Sequence, residues 1–424
     1  MTPILESREA RDALINVLSR QQEGTLIQAK ANIPGPDKHP VEARILMRIM
    51  TSALTRELKA TLHVMGDDSD GPYAILFTDH PPHEAKIHTI EIEESHPLGR
   101  LFDIDVMDEN GNPIPRTERG FPQRRCLLCA KPAVICRLEG NHKTDALLVR
   151  IKDMVMDHLA GVASTLMEES IRRELDLEDK FGLVTPTSRG AHPDMDHALM
   201  VRAKDAISPF FTRVFKDGWE TDDDNERFRH ARAYGLLAEK AMDETTGGVN
   251  CYKGLIFSSF LFLSACAQVI RAEGTPDDVF DVIKRMTEGI TRELGNGPLT
   301  SGRKAFIELG FTGARGEAER GYPSVRKALV APPSQGLNDD WSLRTILKEL
   351  ILTSEDTVLL KRSGSYERYI AIKDMIASLD TSDILEVKAF SRFMSDHGFS
   401  PGGSADLLVM TVFMDNLKTL FSWS

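Results

Sequence analysis

The chain has 424 residues, of which 41% are hydrophobic and 27% charged, and its formal net charge is -12. The length exceeds what one compact core holds and predicts two domains of about 150–250 residues. The composition excludes wholesale disorder, and the acidic balance excludes a general nucleic-acid binder, because phosphate contact needs a dominant basic surface.

The first residues, MTPILESREARDALINVLSRQQ, mix both charge signs. They predict a helix near 6–22 with Ala13, Leu14, Val17 and Leu18 on one stripe, not a secretory leader. A strand follows over Thr25–Ala31, then a break at Pro34, Gly35 and Pro36, then a helix near 41–59. Tyr73–Thr78 and Lys86–Glu94 read as strands. The second of these alternates Ile87, Thr89 and Glu91 against His88, Ile90 and Ile92. Leu101–Met107 is a further strand candidate, and DENGNP at 108–113 is a turn.

From about residue 145 helical periods take over, at 145–175, 196–216, 226–243, 254–272, 277–294, 342–353 and 404–420. The expected domains are therefore 1–155, mixed α and β, and 156–424, mostly α-helical. The uncharged run Gly254–Ile270 is shorter than the roughly 20 residues of a bilayer span and carries Ser258, Ser259, Ser264 and Gln268, so a core helix and no membrane association are expected. Five cysteines without a secretory pattern predict reduced thiols or metal ligands in the cytoplasm.

Two Asp-x-Asp triplets carry the chemistry. In LFDIDV, strand period 2 puts Asp103 and Asp105 on one face, while Phe102, Ile104 and Val106 face the core. Carboxylates about 7 Å apart along a strand can share one or two Mg²⁺ ions, as nucleotidyl transfer requires, or they can be two solvated aspartates. This triplet makes the first domain an α+β, nucleotidyltransferase-like candidate. Residues 116–143 then hold seven basic side chains against two acidic ones, a patch suited to a polyphosphate or an acidic partner. Cys126, Cys129, Cys136 and His142 can close a tetrahedral zinc site or remain ordinary thiols, since the second tight pair of a full zinc signature is missing.

The segments NIPGPDK (32–38), EESHPLGRLFDIDV (93–106) and RRCLLCAKPAVICR (124–137) resemble holo-citrate lyase synthase, also called apo-citrate lyase phosphoribosyl-dephospho-CoA transferase, over roughly residues 5–150. The resemblance implies transfer of a phosphoribosyl-dephospho-CoA unit to a serine of the citrate lyase acyl carrier subunit, with release of pyrophosphate. It makes Asp103 and Asp105 the implied catalytic Mg²⁺ ligands. His96, Arg100, Arg124 and Arg125 become candidate substrate contacts.

The second triplet, Asp194 and Asp196 in SRGAHPDMDHA, has no shared face on a helix, where i and i+2 diverge. Gly190 and Pro193 predict a loop entering a helix, with one aspartate near its cap. TTGGVNCYKG (245–254) places Lys253 before the uncharged helix, a phosphate cradle or a plain connection. GFTGARGEAERGYPSV (310–325) adds Arg315 and Glu317, and SPGGSADLL (400–408) opens the last helix. Together these segments resemble triphosphoribosyl-dephospho-CoA synthase over roughly 157–424.

That family joins ATP and 3′-dephospho-CoA and releases adenine, and its product is the substrate of the first domain's family. The resemblance implies Asp194, Asp196 and Glu317 as candidate catalytic carboxyls, and Lys253 and Arg315 as triphosphate contacts. The chain departs from the family pattern at Cys251 and Tyr252, at Ser301, Gly302 and Arg303, at Val358 and at Phe181. Loss of a histidine at Tyr252 removes a proton carrier that works near neutral pH. An alternative reading follows: an active N-terminal transferase joined to a helical scaffold that binds nucleotide or partner. A zinc-dependent interaction module without catalysis is a third reading.

Overall fold

A computed structural model describes residues 3–296, 300–330, 336–337 and 339–421. The chain divides into two compact units, Met1–Leu159 and Ala160–Ser424. The division falls within the helix Thr144–Asp176.

The first unit is built on four antiparallel strands: β1 Thr25–Ala31, β2 Thr61–Asp68, β3 Gly71–Thr78 and β4 Phe102–Val106. Their order is β2-β3-β1-β4, so β4 is an edge strand. The β1–β4 register sets Ala29 opposite Ile104 and Ile27 opposite Val106, and all four side chains are buried on one face. The alternate residues, Gln28 opposite Asp105 and Lys30 opposite Asp103, share the other face. Part of that second face is covered by the helix Pro3–Gln21, whose Ile15 packs with Leu26, Ile75, Phe77 and Met107.

The segment expected as a strand at Lys86–Glu94 lies within the helix Pro82–Ser95. Its buried residues, Ala85, Lys86, Thr89, Ile90, Ile92 and Glu93, recur at helical spacing, and Pro82 occupies the first turn. The expected two-residue alternation does not hold here, since the neighbours Thr89 and Ile90 are both buried while Ile87 is exposed. Strand β2 was not foreseen: it is largely exposed and polar, and Gly66 leaves room for the ring of Tyr73, its cross-strand partner.

The second unit is helical throughout its described residues. Its centre is the helix Lys253–Arg271, with fourteen buried side chains, packed by the helices Phe211–Glu220, Asp224–Thr246, Asp278–Met286 and Gly402–Phe421. By length and composition it alone among the described helices reaches the threshold for a membrane span, yet 78% of its apolar window is buried in protein. The expected helix 196–216 is interrupted at Ser208–Phe210, around Pro209, and 277–294 stops at Met286 ahead of Gly289, whose φ is 78°. Short helices at Gly313–Glu319, Thr357–Ser363, Tyr366–Ser378 and Ile384–Asp396 escaped the periodicity because they span only two to four turns.

Candidate functional site

Strand β4 carries the first site, and its free edge is fixed from the helix Pro82–Ser95. Ile104 N–H donates to Glu93 Oε1 at 3.3 Å, and Lys86 Nζ donates to Ile104 O at 3.0 Å. Arg124 Nη1 donates to Phe102 O at 2.7 Å and to Asp103 Oδ1 at 3.4 Å, and its Nη2 bonds Glu93. The outward backbone groups of an edge strand are thus satisfied by charged side chains. Burial pushes the Glu93 carboxyl up and the Lys86 ammonium down.

On the strand's polar face, Asp103 is half exposed while Asp105 is more enclosed. Burial, then the neighbouring Asp103, pushes Asp105 up from the usual carboxylate range. The Asp105 carboxylate accepts no hydrogen bond from a described residue. Opposite it, Gln28 Oε1 is buried and has no partner. Three side chains therefore offer oxygens on one face, two of them without protein donors. That is a hard, oxygen-only donor set, and it fits Mg²⁺. Lys30, opposite Asp103, turns instead to Asp70, which also binds Arg8 and Arg11.

The structure sorts the other predicted contacts. Arg100 Nε donates to Arg125 O at 2.6 Å, while its buried Nη1 has no partner. Arg125 presents an exposed side chain. His96 does not join the aspartates: its ring lies 5.0 Å from Phe102 and 5.1 Å from His158, against the opposite face of the sheet. Its Nδ1 accepts Leu98 N–H, and burial lowers its pKa to about 4.

Beyond Arg124 the chain makes a tight turn, with Cys126 N–H donating to Lys131 O and Ala133 N–H to Arg124 O. It brings Cys126, Cys129, Cys136 and His142 together, one donor atom each, all within 4.8 Å of one another. Cys129 Sγ lies 3.3 Å from both Cys136 Sγ and His142 Nε2. Three thiols and an imidazole at this spacing fit a tetrahedral zinc ion.

The second unit holds two cavities, of about 480 and about 390 Å³, both in the size range of small-molecule sites. Lys253, Gly254 and Thr357 line both, so the cavities meet at the first turn of the central helix. Lys253 Nζ lies 3.2 Å from Asp243 Oδ2. Arg315 lines the larger cavity with Arg232 and Glu293. Asp194 lines the smaller one with Glu174, Lys180, His192, Tyr252 and Asp406.

Two expected carboxyls are engaged elsewhere. Asp196 caps the helix His197–Ile207, accepting Leu199 N–H at 2.9 Å, and pairs with Arg189 at 3.1 Å. Glu317 is buried and accepts Ser324 Oγ–H at 2.8 Å and Ser324 N–H at 3.3 Å, at the start of the helix Pro323–Val330. Both serve helix ends and neither is in the walls of the two cavities.

Sequence reasoning missed several groups. Gln28 becomes visible only with the β1–β4 register. Glu174 and Lys180 form a buried pair, 2.9 Å apart, inside the smaller cavity. Asp356 accepts Val358 and Leu359 N–H at 2.9 Å and Ser404 N–H and Oγ–H at 2.8 Å, so one carboxylate serves the starts of two helices. The Asp-Thr and Gly-Gly-Ser pieces that meet here lie 48 residues apart.

Residues 1–158 match the family described as apo-citrate lyase phosphoribosyl-dephospho-CoA transferase, and residues 161–424 match ATP:dephospho-CoA triphosphoribosyl transferase. The chain is 32% identical to Protein CitXG of Haemophilus influenzae over 354 residues, 77% of this chain and 76% of that protein. It is 29% identical to Protein CitXG of Leuconostoc mesenteroides subsp. cremoris over 453 residues, 98% and 96% of the two. A Haemophilus ducreyi protein named 2-(5''-triphosphoribosyl)-3'-dephosphocoenzyme-A synthase is 32% identical over 321 residues, 68% of this chain and 99% of that one.

These relations define a transferase. The chain belongs to the ATP:dephospho-CoA triphosphoribosyl transferase family through its helical unit and to the apo-citrate lyase phosphoribosyl-dephospho-CoA transferase family through its first unit, a fusion of the two. Its field of action is the biosynthesis and attachment of the citrate lyase prosthetic group.

Proposed function

We propose that the chain carries out two consecutive reactions. The helical unit takes ATP and 3′-dephospho-CoA to 2′-(5″-triphosphoribosyl)-3′-dephospho-CoA and adenine. The first unit, nucleotidyltransferase-like in its chemistry, passes the phosphoribosyl-dephospho-CoA group to a serine of the apo acyl carrier subunit and releases pyrophosphate. The observation that carries the reading is the oxygen set of Asp103, Asp105 and Gln28 beside Arg124. A triphosphate that loses pyrophosphate needs its charge neutralised at such a place.

Asp103, Asp105 and Gln28 would hold Mg²⁺. When bound, the ion neutralises phosphate charge and polarises the phosphorus under attack. Arg124, locked to Phe102 O and Glu93, holds its guanidinium beside Asp103 without reorganisation. Arg100, whose Nη1 has no protein partner, is the further guanidinium that would bind the departing pyrophosphate. Zinc at Cys126, Cys129, Cys136 and His142 would pin the turn that carries Arg124 and Arg125.

In the helical unit, Lys253 and Arg315 hold the triphosphate of ATP. Asp194 accepts the proton of the attacking 2′-hydroxyl and offsets the positive charge that develops at the ribose. The test is adenine release from ATP in the presence of 3′-dephospho-CoA and Mg²⁺. Stoichiometric adenine supports the synthase step. Its absence, with transfer from preformed precursor intact, would leave the helical unit as a binding scaffold.

A further inference from the structure

We propose that Asp406 is the acid that delivers a proton to the departing adenine in the smaller cavity of the helical unit. The inference rests on the ribosyl-transfer reading above and deepens it, since leaving-group protonation is not assigned there.

Asp406 lies in the first turns of the helix Gly402–Phe421 and lines the cavity. No described residue gives its carboxyl a hydrogen bond or a paired cation. It sits against Gly254, where an added Cβ would come 2.2 Å from Asp406 Oδ2. At the neighbouring helix start, Lys253 N–H is taken by Asn250 Oδ1 at 3.1 Å. The acidic neighbour Glu174 is already committed to Lys180. Enclosure, then Glu174 and Asp356, push the Asp406 carboxyl well above the usual range. A carboxyl raised in this way holds its proton to higher pH than an ordinary aspartate and can donate it.

A second observation points to a ligand in the same wall. Tyr252 is 4% exposed, lines this cavity, and its buried hydroxyl has no partner. Asp194, by contrast, is exposed while lining the same space. Two of the cavity's carboxyls, Asp194 and Asp406, thus stand in different surroundings, the arrangement that separates acid from base.

The C1′–N9 bond of ATP breaks and its electron pair goes to the purine, which takes the proton of Asp406. The 2′-hydroxyl oxygen of dephospho-CoA forms the new bond to C1′, and its proton passes to Asp194. Exchange with solvent after product release restores both carboxyls.

The test compares ATP with 7-methyl-ATP, whose purine is already cationic and leaves without a proton. Asp406→Asn, which removes no protein hydrogen bond, is expected to slow adenine release from ATP by about 10²–10⁴-fold. It is expected to slow 7-methyladenine release by less than about tenfold. Gly254→Ala, which displaces the carboxyl, is expected to show the same selectivity. Equal slowing of both nucleotides in the two variants overturns the acid role alone. A full-length wild type inert toward both nucleotides overturns the ribosyl-transfer reading and the acid role with it.

Discussion

Gln28 stands directly opposite Asp105 across the β1–β4 ladder, and its buried Oε1 has no hydrogen-bond partner. A buried amide oxygen and an enclosed carboxylate facing each other are costly unless a cation joins them. The pair predicts divalent-metal affinity at this place. Asp105→Asn is expected to remove Mn²⁺ binding by the first unit and to cut carrier modification at least about 100-fold. Gln28→Leu is expected to weaken Mn²⁺ about 10–100-fold with the fold retained. Electron paramagnetic resonance of added Mn²⁺ reads both, and unchanged binding in Asp105→Asn would remove the ion from this site.

Asp356 predicts a stability effect in the second unit. It is 2% exposed and supports the helices Thr357–Ser363 and Gly402–Phe421 together. Asp356→Ala strips both starts of their acceptor and leaves the buried Ser404 N–H without one. A single cap is worth about 0.5–2 kcal/mol and a buried donor left unsatisfied costs about 1–3 kcal/mol, so losing both helix starts is expected to cost about 2–4 kcal/mol. Calorimetry is expected to show the transition of the second unit lowered by roughly 4–10 °C. A shift below a degree would mean that other groups take over both helix starts.

The cysteine cluster predicts metal content. Elemental analysis of the purified chain is expected to find about one zinc per molecule, and Cys129→Ser less than about a tenth of that. Equal zinc in the two proteins would place the ion elsewhere.

His192 predicts a pH dependence. Arg362 Nη2 donates to its Nδ1 at 2.8 Å, so the ring proton sits on Nε2 and is given to Ser400 Oγ at 2.8 Å. Burial, then Arg362, lowers the histidine to about 4. The unfolded chain therefore binds more protons than the folded one between about pH 6.5 and 4. Its contribution to stability is present above about 6.5 and is lost as the pH falls toward 4. In urea titrations across this window, His192→Gln is expected to flatten the decline of the second unit, and an unaltered slope would contradict the assignment.

The sequence makes the strand carrying Asp103 and Asp105 legible, because a period of 2 with Phe102, Ile104 and Val106 buried has no helical counterpart. It misreads Lys86–Glu94, where an apolar pattern dense enough for a strand also fits a helix. That error hides the Lys86 and Glu93 clasp on Ile104, since the two side chains reach one edge only from a helix. Asp194 and Asp196 are legible as a loop–helix junction, and the cap falls to Asp196. Gln28, Glu174 and Asp406 are not legible as site members, because long-range register and packing bring them to their sites.

The most direct measurement of the central claim is the mass of the apo acyl carrier subunit after incubation with the chain, ATP, Mg²⁺ and 3′-dephospho-CoA. The expected result is a gain equal to one phosphoribosyl-dephospho-CoA group on a serine, lost in Asp105→Asn. An unmodified carrier, even when preformed triphosphoribosyl-dephospho-CoA is supplied, would contradict it.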